Sequence, residues 1–305
     1  MSDLLSKRLI FVTGKGGVGK TTVAIALGIK AAAAGKRTIV CEVASQERAS
    51  RIFGRDVDAF EEVEVSPGLW TISIEPDEAM REYVLLQLKV RAMRDLLFRS
   101  RIFTYLAAAT PGLKELVTIG KIWELTQLDR KVRSGRKYDL VIVDAPATGH
   151  GIAFLQTPRM YANIARVGPV HNQAKELDKL ITDQKMTGVT IVSLPEEMPV
   201  NESAALEESL CEEVGVSVDH IYMNGLYPQR FSKDEVEAIE ELSESADPGI
   251  AAAAGAALSE QRRARSQRAQ LSRLRRRVTA PVSTLPFIFE PELDVEAVGL
   301  LAEKL

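Results

Sequence analysis

The stretch Gly14-Lys15-Gly16-Gly17-Val18-Gly19-Lys20-Thr21-Thr22 follows the apolar run Leu9-Ile10-Phe11-Val12 and precedes a helix-forming segment. It matches the phosphate-binding pattern G-x-x-x-x-G-K-[ST], in which backbone N–H groups and a helix N-terminus converge on one anion. By this pattern, Lys20 reaches the β- and γ-phosphates and the Thr21 hydroxyl binds Mg²⁺. The alternative is a glycine-rich turn that matches by chance. Because the strand, loop and helix contexts all agree, we predict that the whole stretch binds a nucleotide.

The flanking sequence predicts a βαβ unit. Residues 23–34 are rich in Ala, Ile and Leu and stop at Gly35, as a helix does, and residues 37–43 form a short apolar run typical of a buried parallel strand. Further candidate strands are residues 70–74, 140–144, 189–194, 220–223 and 282–287. Helical stretches separate them, so we predict an α/β fold with a mostly parallel central sheet flanked by helices. We expect a single nucleotide-binding domain over residues 1–305.

Composition narrows the classes of partner. The chain has 305 residues with 39 basic and 42 acidic side chains, a net charge of -3, so no overall charge bias favours nucleic acid. Its cysteines, Cys41 and Cys211, are far apart, which fits a reducing, cytoplasmic setting. The first strand begins too early to leave room for a signal peptide, and no apolar run approaches the ~18 residues of a membrane span. We therefore expect no nucleic-acid partner and no integral membrane segment.

Residues 76–137 are predicted to form a helical insertion into the sheet. An amphipathic stripe runs along its first helix, formed by Tyr83, Leu86, Val90, Met93 and Leu97. Residues 102–106 and 113–125 are more apolar still. One interpretation is that these faces pack on one another. The other is that two insertions in a dimer enclose a groove for an apolar helix or an acyl chain.

A carboxylate ends the strand of residues 138–144 and is followed by Ala145-Pro146-Ala147-Thr148-Gly149-His150. P-loop ATPases place the carboxylate that holds Mg²⁺ at the end of an apolar strand beside the phosphate loop. Asp144 is therefore the predicted partner of Thr21 in a magnesium site. The alternative is that Asp144 is an ordinary charge at a strand end.

Lys15 narrows the class of protein that the phosphate-loop sequence indicates. The sequence G-K-G-G-V-G-K-T-T resembles the deviant Walker A motif of the MinD, nitrogenase iron protein, arsenite-pump and tail-anchored-protein-targeting ATPases. The resemblance implies an ATPase that works as a homodimer or as a heterodimer with a paralogue, with Lys15 reaching the nucleotide of the opposite subunit. The alternative is that Lys15 is a solvated cation beside the phosphates of its own subunit.

The segment D-A-P-A-T-G-H at residues 144–150 is similar to the second switch of the arsenite-pump and tail-anchored-targeting branch. The first switch departs from that branch, which has D-P-A-H where this chain has Glu42-Val43-Ala44-Ser45. The resemblance implies that Glu42 positions the attacking water. Glu42 carries an extra methylene, however, and a shift near 1 Å can cost about 10²-fold in rate. Glu42 could instead only pair with a cation.

The resemblance also implies a site for adenine. Asn224 follows the strand Ile221-Tyr222-Met223 and corresponds to a residue that recognises adenine, and an amide has both a donor and an acceptor for a purine edge. The backbone at Pro286, which ends the last strand, is expected to contact the same base. As a lone residue at a strand end, Asn224 could instead be a turn former.

Two charged segments lie outside these motifs. Residues 195–202 are predicted to be an acidic loop that leads into a helix. Residues 260–277 are predicted to form an arginine-rich helix. It could pair with the acidic helix of residues 231–246, meet an acidic partner, or contact nucleic acid or anionic lipid.

Three functions remain open at this point. The first is a Mg-dependent ATPase whose dimer opens and closes on a protein or apolar client. The second is the energising subunit of an arsenite efflux pump, although As(III) needs several soft thiolates and only Cys41 and Cys211 are present. The third is a weakly hydrolysing scaffold partner in a heterodimer, which Glu42 favours.

Overall fold

The computed structural model describes residues 4–43, 48–55, 58–87, 110–130 and 136–305. The strands are β1 Leu9–Gly14, β2 Thr38–Val43, β3 Val63–Ser66, β4 Leu69–Ile74, β5 Leu140–Asp144, β6 Thr187–Ser193, β7 His220–Leu226 and β8 Val282–Pro286. The helices are α1 Lys20–Ala33, α2 Arg48–Ile52, α3 Pro76–Gln87, α4 Leu113–Thr126, α5 Thr148–Ala165, α6 Pro169–Thr182, α7 Glu197–Ser209, α8 Lys233–Ser243, α9 Pro248–Arg275 and α10 Val295–Lys304. A π-helical turn over Leu210–Val214 extends α7.

The strands form one sheet in the order β3-β4-β2-β5-β1-β6-β7-β8. Neighbouring strands are parallel except for the β3–β4 hairpin at one edge. The predicted mostly parallel α/β sheet is therefore confirmed. Strand β3 was missed from the sequence because it is short, lies at the edge and carries the exposed Glu64 in its middle.

Helices cover both faces of the sheet. Alternate side chains of β1 point to opposite sides: Leu9 and Phe11 join the core beneath α4, α5, α6, α7 and α9, whereas Ile10 and Val12 join the core beneath α1 and α10. This double covering explains why the central strands read as continuous apolar runs.

Part of the expected insertion lies within the described residues. Helix α3 packs against α4, and the range of α4 matches the predicted helical run of residues 113–125. The predicted stripe residues Val90, Met93 and Leu97, and the segment 102–106, lie outside the described residues.

A buried ionic cluster joins α4 to the sheet edge. The Arg130 side chain has no exposed surface and bonds the Glu124 carboxylate from Nε at 2.8 Å and the Glu62 carboxylate from Nη1 at 2.9 Å. Tyr138 donates its hydroxyl to Glu62 at 2.7 Å, and Lys121 pairs with Glu124 at 3.2 Å. The predicted insertion is thus fixed to the sheet by charges as well as by apolar packing.

The segment between β6 and α7 corrects one prediction. Residues 195–202 were expected to be an acidic loop, but α7 already begins at Glu197. Pro199 lies in the first turn of that helix, where a missing N–H costs nothing, so proline and acidic residues there mark a helix start. As a result, Met198 and Glu202 are carried on a helix beside the phosphate loop.

Candidate functional site

The phosphate loop connects β1 to α1 and depends on glycines. Gly14, Gly17 and Gly19 have φ angles of +143°, +84° and +91°. A Cβ atom on Gly14 would lie 2.2 Å from the carbonyl oxygen of Val192 in the neighbouring strand. Only glycine allows this backbone course and this close approach.

Helix α1 begins at Lys20, with Gly19 as an N-cap that supplies no side-chain hydrogen bond. The first-turn N–H groups of α1 therefore face the loop and are available to an anion. The Lys20 ammonium donates to the Lys15 carbonyl at 3.0 Å, so it is folded back over the loop. This arrangement provides a phosphate cradle of backbone donors and one lysine.

Thr21 and Asp144 come together beside the cradle. Thr21 Oγ1 donates to Asp144 Oδ2 at 2.5 Å, although the two residues are 123 positions apart. The contact follows from the sheet order, because β5 lies next to β1 with Val12 paired to Asp144. A hydroxyl and a carboxylate are hard oxygen ligands of the kind that Mg²⁺ prefers, so this donor set fits a magnesium ion.

Glu42 lies on β2, the strand next to β5, near the same carboxyl ends of the strands as Asp144. It is paired with Asp144 across β2 and β5 and is 4% exposed. Its Oε2 accepts a hydrogen bond from the backbone N–H of Ala49 in α2 at 3.1 Å. The rest of the first switch, residues 44–47, lies outside the described residues. Glu42 therefore sits at the same strand ends as the predicted metal ligands, held toward α2.

Lys15 points toward α7 within its own chain. Its Nζ lies 2.7 Å from Glu202 Oε1 and 2.8 Å from the Met198 sulfur. About a third of each side chain of the ion pair is exposed. An ion pair this exposed contributes at most about 1 kcal/mol. Lys15 can therefore leave Glu202 at little cost.

Asn224 reaches the phosphate loop from β7. Its Nδ2 donates to the Val18 carbonyl at 3.0 Å. A Cβ atom on Gly19 would lie 2.4 Å from the same nitrogen. Pro286 ends β8, where it is paired with Leu226 of β7. The two residues predicted to contact adenine thus lie on neighbouring strands, and Asn224 contacts the loop.

A cavity of about 500 Å³ opens next to Asn224, at the carboxyl ends of β6, β7 and β8. Its lining includes Leu194, Tyr227, Arg263, Gln267 and Phe287. The sequence interpretation missed this set because Arg263 and Gln267 belong to α9, which reaches the site only through the tertiary fold. Open α/β sheets bind ligands at the carboxyl ends of their strands.

The parallel sheet, the glycine loop ahead of α1 and the Thr21–Asp144 pair define the class of this protein as a P-loop nucleoside triphosphatase. The model of the anion-transporting ATPase family matches residues 7–167 and 162–246, and the chain belongs to that family. The resemblance to the arsenite-pump and tail-anchored-targeting branch is confirmed, and the chain is an ATP hydrolase.

Named relatives agree with this assignment. ATPase BagA of Mycobacterium tuberculosis is 29% identical over 256 residues, covering 81% of this chain and 73% of the relative. ATPase GET3C of Arabidopsis thaliana is 26% identical over 277 residues, covering 75% of this chain and 69% of the relative. The arsenical pump-driving ATPase of Acidiphilium multivorum is 25% identical over 246 residues, covering 72% of this chain and 40% of the relative.

No helix in the described parts of the chain combines the length and the apolar character needed to cross a bilayer. The predicted arginine-rich helix of residues 260–277 lies in α9 as far as Arg275, and no ion pair among the described residues links its arginines to α8. Instead, Arg273 pairs with Glu197 and Arg263 donates to the Tyr227 hydroxyl. Helix α9 packs against the acidic helix α8, as this interpretation expects, but the expected ion pairs between the two helices are not found among the described residues.

Gly19→Ala is expected to weaken ATP binding at least about tenfold, because the new Cβ pushes Asn224 off the loop while the backbone keeps a left-handed φ. The measurement is the dissociation constant of a fluorescent ATP derivative. Gly35 is the matched control, since it has a φ of +81° with no atom within 4 Å of its Cβ position. Gly35→Ala should cost about 1 kcal/mol of stability and leave the affinity unchanged. Equal affinities for the two variants would contradict the steric argument.

Proposed function

We propose that Mg²⁺-dependent ATP hydrolysis switches a dimer of this chain, or of this chain and a paralogue, between states that hold and release a protein or apolar client. The observation that carries the proposal is an apolar groove that shares its walls with the residues around the nucleotide site. The groove has a volume of about 670 Å³ and lies between α4 and α5.

The groove borders both predicted switches. Val43, which follows Glu42 in β2, forms one wall, and Pro146, two residues beyond Asp144, forms another. Ala153, Phe154 and Met160 of α5 also line the groove. Any movement of the strand ends on hydrolysis would therefore change the shape of the groove. This coupling is what a nucleotide-switched carrier needs.

Each site residue has a proposed role in hydrolysis. Lys20 and the loop amides of residues 14–22 neutralise the phosphates, and Lys15 adds a charge from the opposite subunit. Thr21 and Asp144 would hold Mg²⁺, which stabilises negative charge on the phosphate oxygens. Glu42 orients the attacking water, and Asn224 and Pro286 border the adenine. Lys15 would first have to exchange Glu202 for the partner's nucleotide.

The cysteines argue against arsenite as the transported species. Cys41 is fully buried in β2, and burial raises its thiol pKa, whereas Cys211 is exposed at the end of α7. Among the described residues, no cluster of three or more His, Cys, Asp or Glu side chains could hold a metal ion. As(III) requires several thiolates together, so antimonite, its usual substitute, should leave ATP turnover unchanged. Stimulation by antimonite would instead support the pump.

Ala153→Glu is expected to weaken binding of an apolar peptide, because it places a charge on the exposed side of the groove lining. The probe is a fluorescein-labelled, leucine-rich helical peptide of about 20 residues, with affinity measured by anisotropy in ATP and in ADP. We expect an affinity loss of at least about tenfold and a nucleotide dependence in the wild type.

The matched control is Ala253→Glu, which changes an exposed alanine of α9. It should bind the peptide like the wild type. If the wild type binds the peptide equally in ATP and ADP, or not at all, the proposed carrier function is wrong. The mass of the wild-type chain in ATP, measured by light scattering, tests the dimer separately.

A further inference from the structure

The carboxyl end of β7 leaves the sheet through a bulge. The register between β7 and β8 shifts between Met223 and Leu226, and Gly225 has a φ of +71°. In this bulge Asn224 turns its amide toward Val18 of the phosphate loop. A β-bulge redirects a side chain in this way. The conformation of residues 224–226 therefore sets how Asn224 meets the loop.

Gln267 of α9 completes the hydrogen bonding of this bulge. Its Oε1 accepts from the backbone N–H of Tyr227 at 2.7 Å, and its Nε2 donates to the Gly225 carbonyl at 3.4 Å. On the other side, the N–H of Phe287 donates to the Leu226 carbonyl at 2.9 Å. A side-chain amide carries the same donor and acceptor as a peptide group. Gln267 thus makes the hydrogen bonds to this end of β7 that the backbone of a further strand would otherwise make.

An aromatic wall, formed by Tyr227 and Phe287, lies beside the same face of α9. Arg263 Nη1 donates to the Tyr227 hydroxyl at 2.8 Å, and its guanidinium lies 5.1 Å from the centre of the Tyr227 ring. Tyr227 packs on Phe287 with the ring centres 4.7 Å apart. Both rings line the cavity beside Asn224. Flat aromatic faces of this kind stack on nucleobases.

We propose that Gln267 is a positioning residue for ATP. By holding Gly225 and Tyr227, it keeps Asn224 on the phosphate loop and keeps the Tyr227–Phe287 wall in place for the nucleoside part of ATP. The inference rests on the proposed nucleotide site. Among the described residues, the hydrogen bonds of Gln267 go to Gly225 and Tyr227 of the bulge, so it governs the affinity for ATP and the choice of base more than the rate of hydrolysis.

The test is Gln267→Leu, which keeps the volume and removes both hydrogen bonds. We expect the KM for ATP to rise about tenfold, from the loss of bonds to two backbone groups, with kcat changed less than about twofold. The preference for ATP over GTP should fall as well. Gln267→Glu keeps the acceptor for Tyr227, so its KM should lie between those of the wild type and the leucine variant.

Gln270→Leu is the matched control. Gln270 lies one turn further along α9, and its buried Oε1 has no hydrogen-bond partner among the described residues. Its KM and base preference should equal those of the wild type. An unchanged KM for Gln267→Leu, or a fall in kcat as large as the rise in KM, would overturn the inference. If the wild type fails to bind a fluorescent ATP derivative, the proposed nucleotide site is wrong instead.

Discussion

Lys15→Ala is expected to lower kcat for ATP hydrolysis about 10³-fold, because a cation that meets the transferring phosphoryl group contributes near this amount. Binding of ATP to the mutated subunit should weaken much less, since Lys20 and the loop amides remain. Steady-state turnover measures the first effect, and titration with a fluorescent ATP derivative measures the second. Lys175→Ala, which removes an exposed charge from α6, should turn over ATP at the wild-type rate.

A mixture of inactive chains separates the two possible positions of Lys15. In a mixed dimer of Lys15→Ala and Asp144→Asn, the first chain keeps its own Asp144 and receives Lys15 from the second. Random mixing in equal amounts should restore about a quarter of the wild-type rate per chain, since half of the dimers are mixed and each holds one complete site. If Lys15 serves only its own subunit, where it lies near Glu202, the mixture will stay as inactive as its components.

Arg130→Met is expected to destabilise the fold by about 3–5 kcal/mol, because it removes the guanidinium shared by two carboxylates in a buried cluster. Glu62 and Glu124 would then be charged without that partner, and the side chains of both are at most 12% exposed. Urea unfolding followed by circular dichroism gives the change in free energy. Arg81→Met is the control: its pair with Glu78 is exposed, so less than about 0.5 kcal/mol should be lost.

Two further measurements test the buried cluster. Adding Glu62→Gln and Glu124→Gln to Arg130→Met should recover much of the lost stability, because it removes the buried negative charges that Arg130 no longer compensates. Burial raises the pKa of Glu62, but hydrogen bonds from Arg130 and Tyr138 outweigh this, so its pKa lies below the ordinary 4.5. The wild type should therefore lose this contribution as the pH falls below 4.5 and through the lowered pKa, whereas Arg130→Met should depend on pH less steeply there. A loss under about 1 kcal/mol for Arg130→Met would mean that water reaches the cluster.

The sequence alone determined the phosphate loop, the βαβ unit and the carboxylate at the end of β5. These features depend on neighbouring residues: glycines at 14, 17 and 19 permit φ angles that other residues avoid, and continuous apolar runs mark strands covered on both faces. A local pattern is sufficient here because the backbone course of a loop is set within a few residues. The resemblance to the family motifs then gave Lys15 and Asp144 their predicted roles.

Only the tertiary structure decided which distant residues meet at the site and at the edge of the sheet. Gln267 reaches Tyr227 across 40 positions, Lys15 reaches Glu202 across 187, and Arg130 reaches Glu62 across 68. None of these pairs has a local signature, because a glutamine or an arginine on a helix looks the same in sequence whether it faces solvent or a strand end. The crossing of α9 over β7, the early start of α7 and the placement of α4 on the sheet edge bring them together. Those placements arise because apolar faces from all parts of the chain are buried together. The residues that meet in this way have no fixed spacing in the sequence.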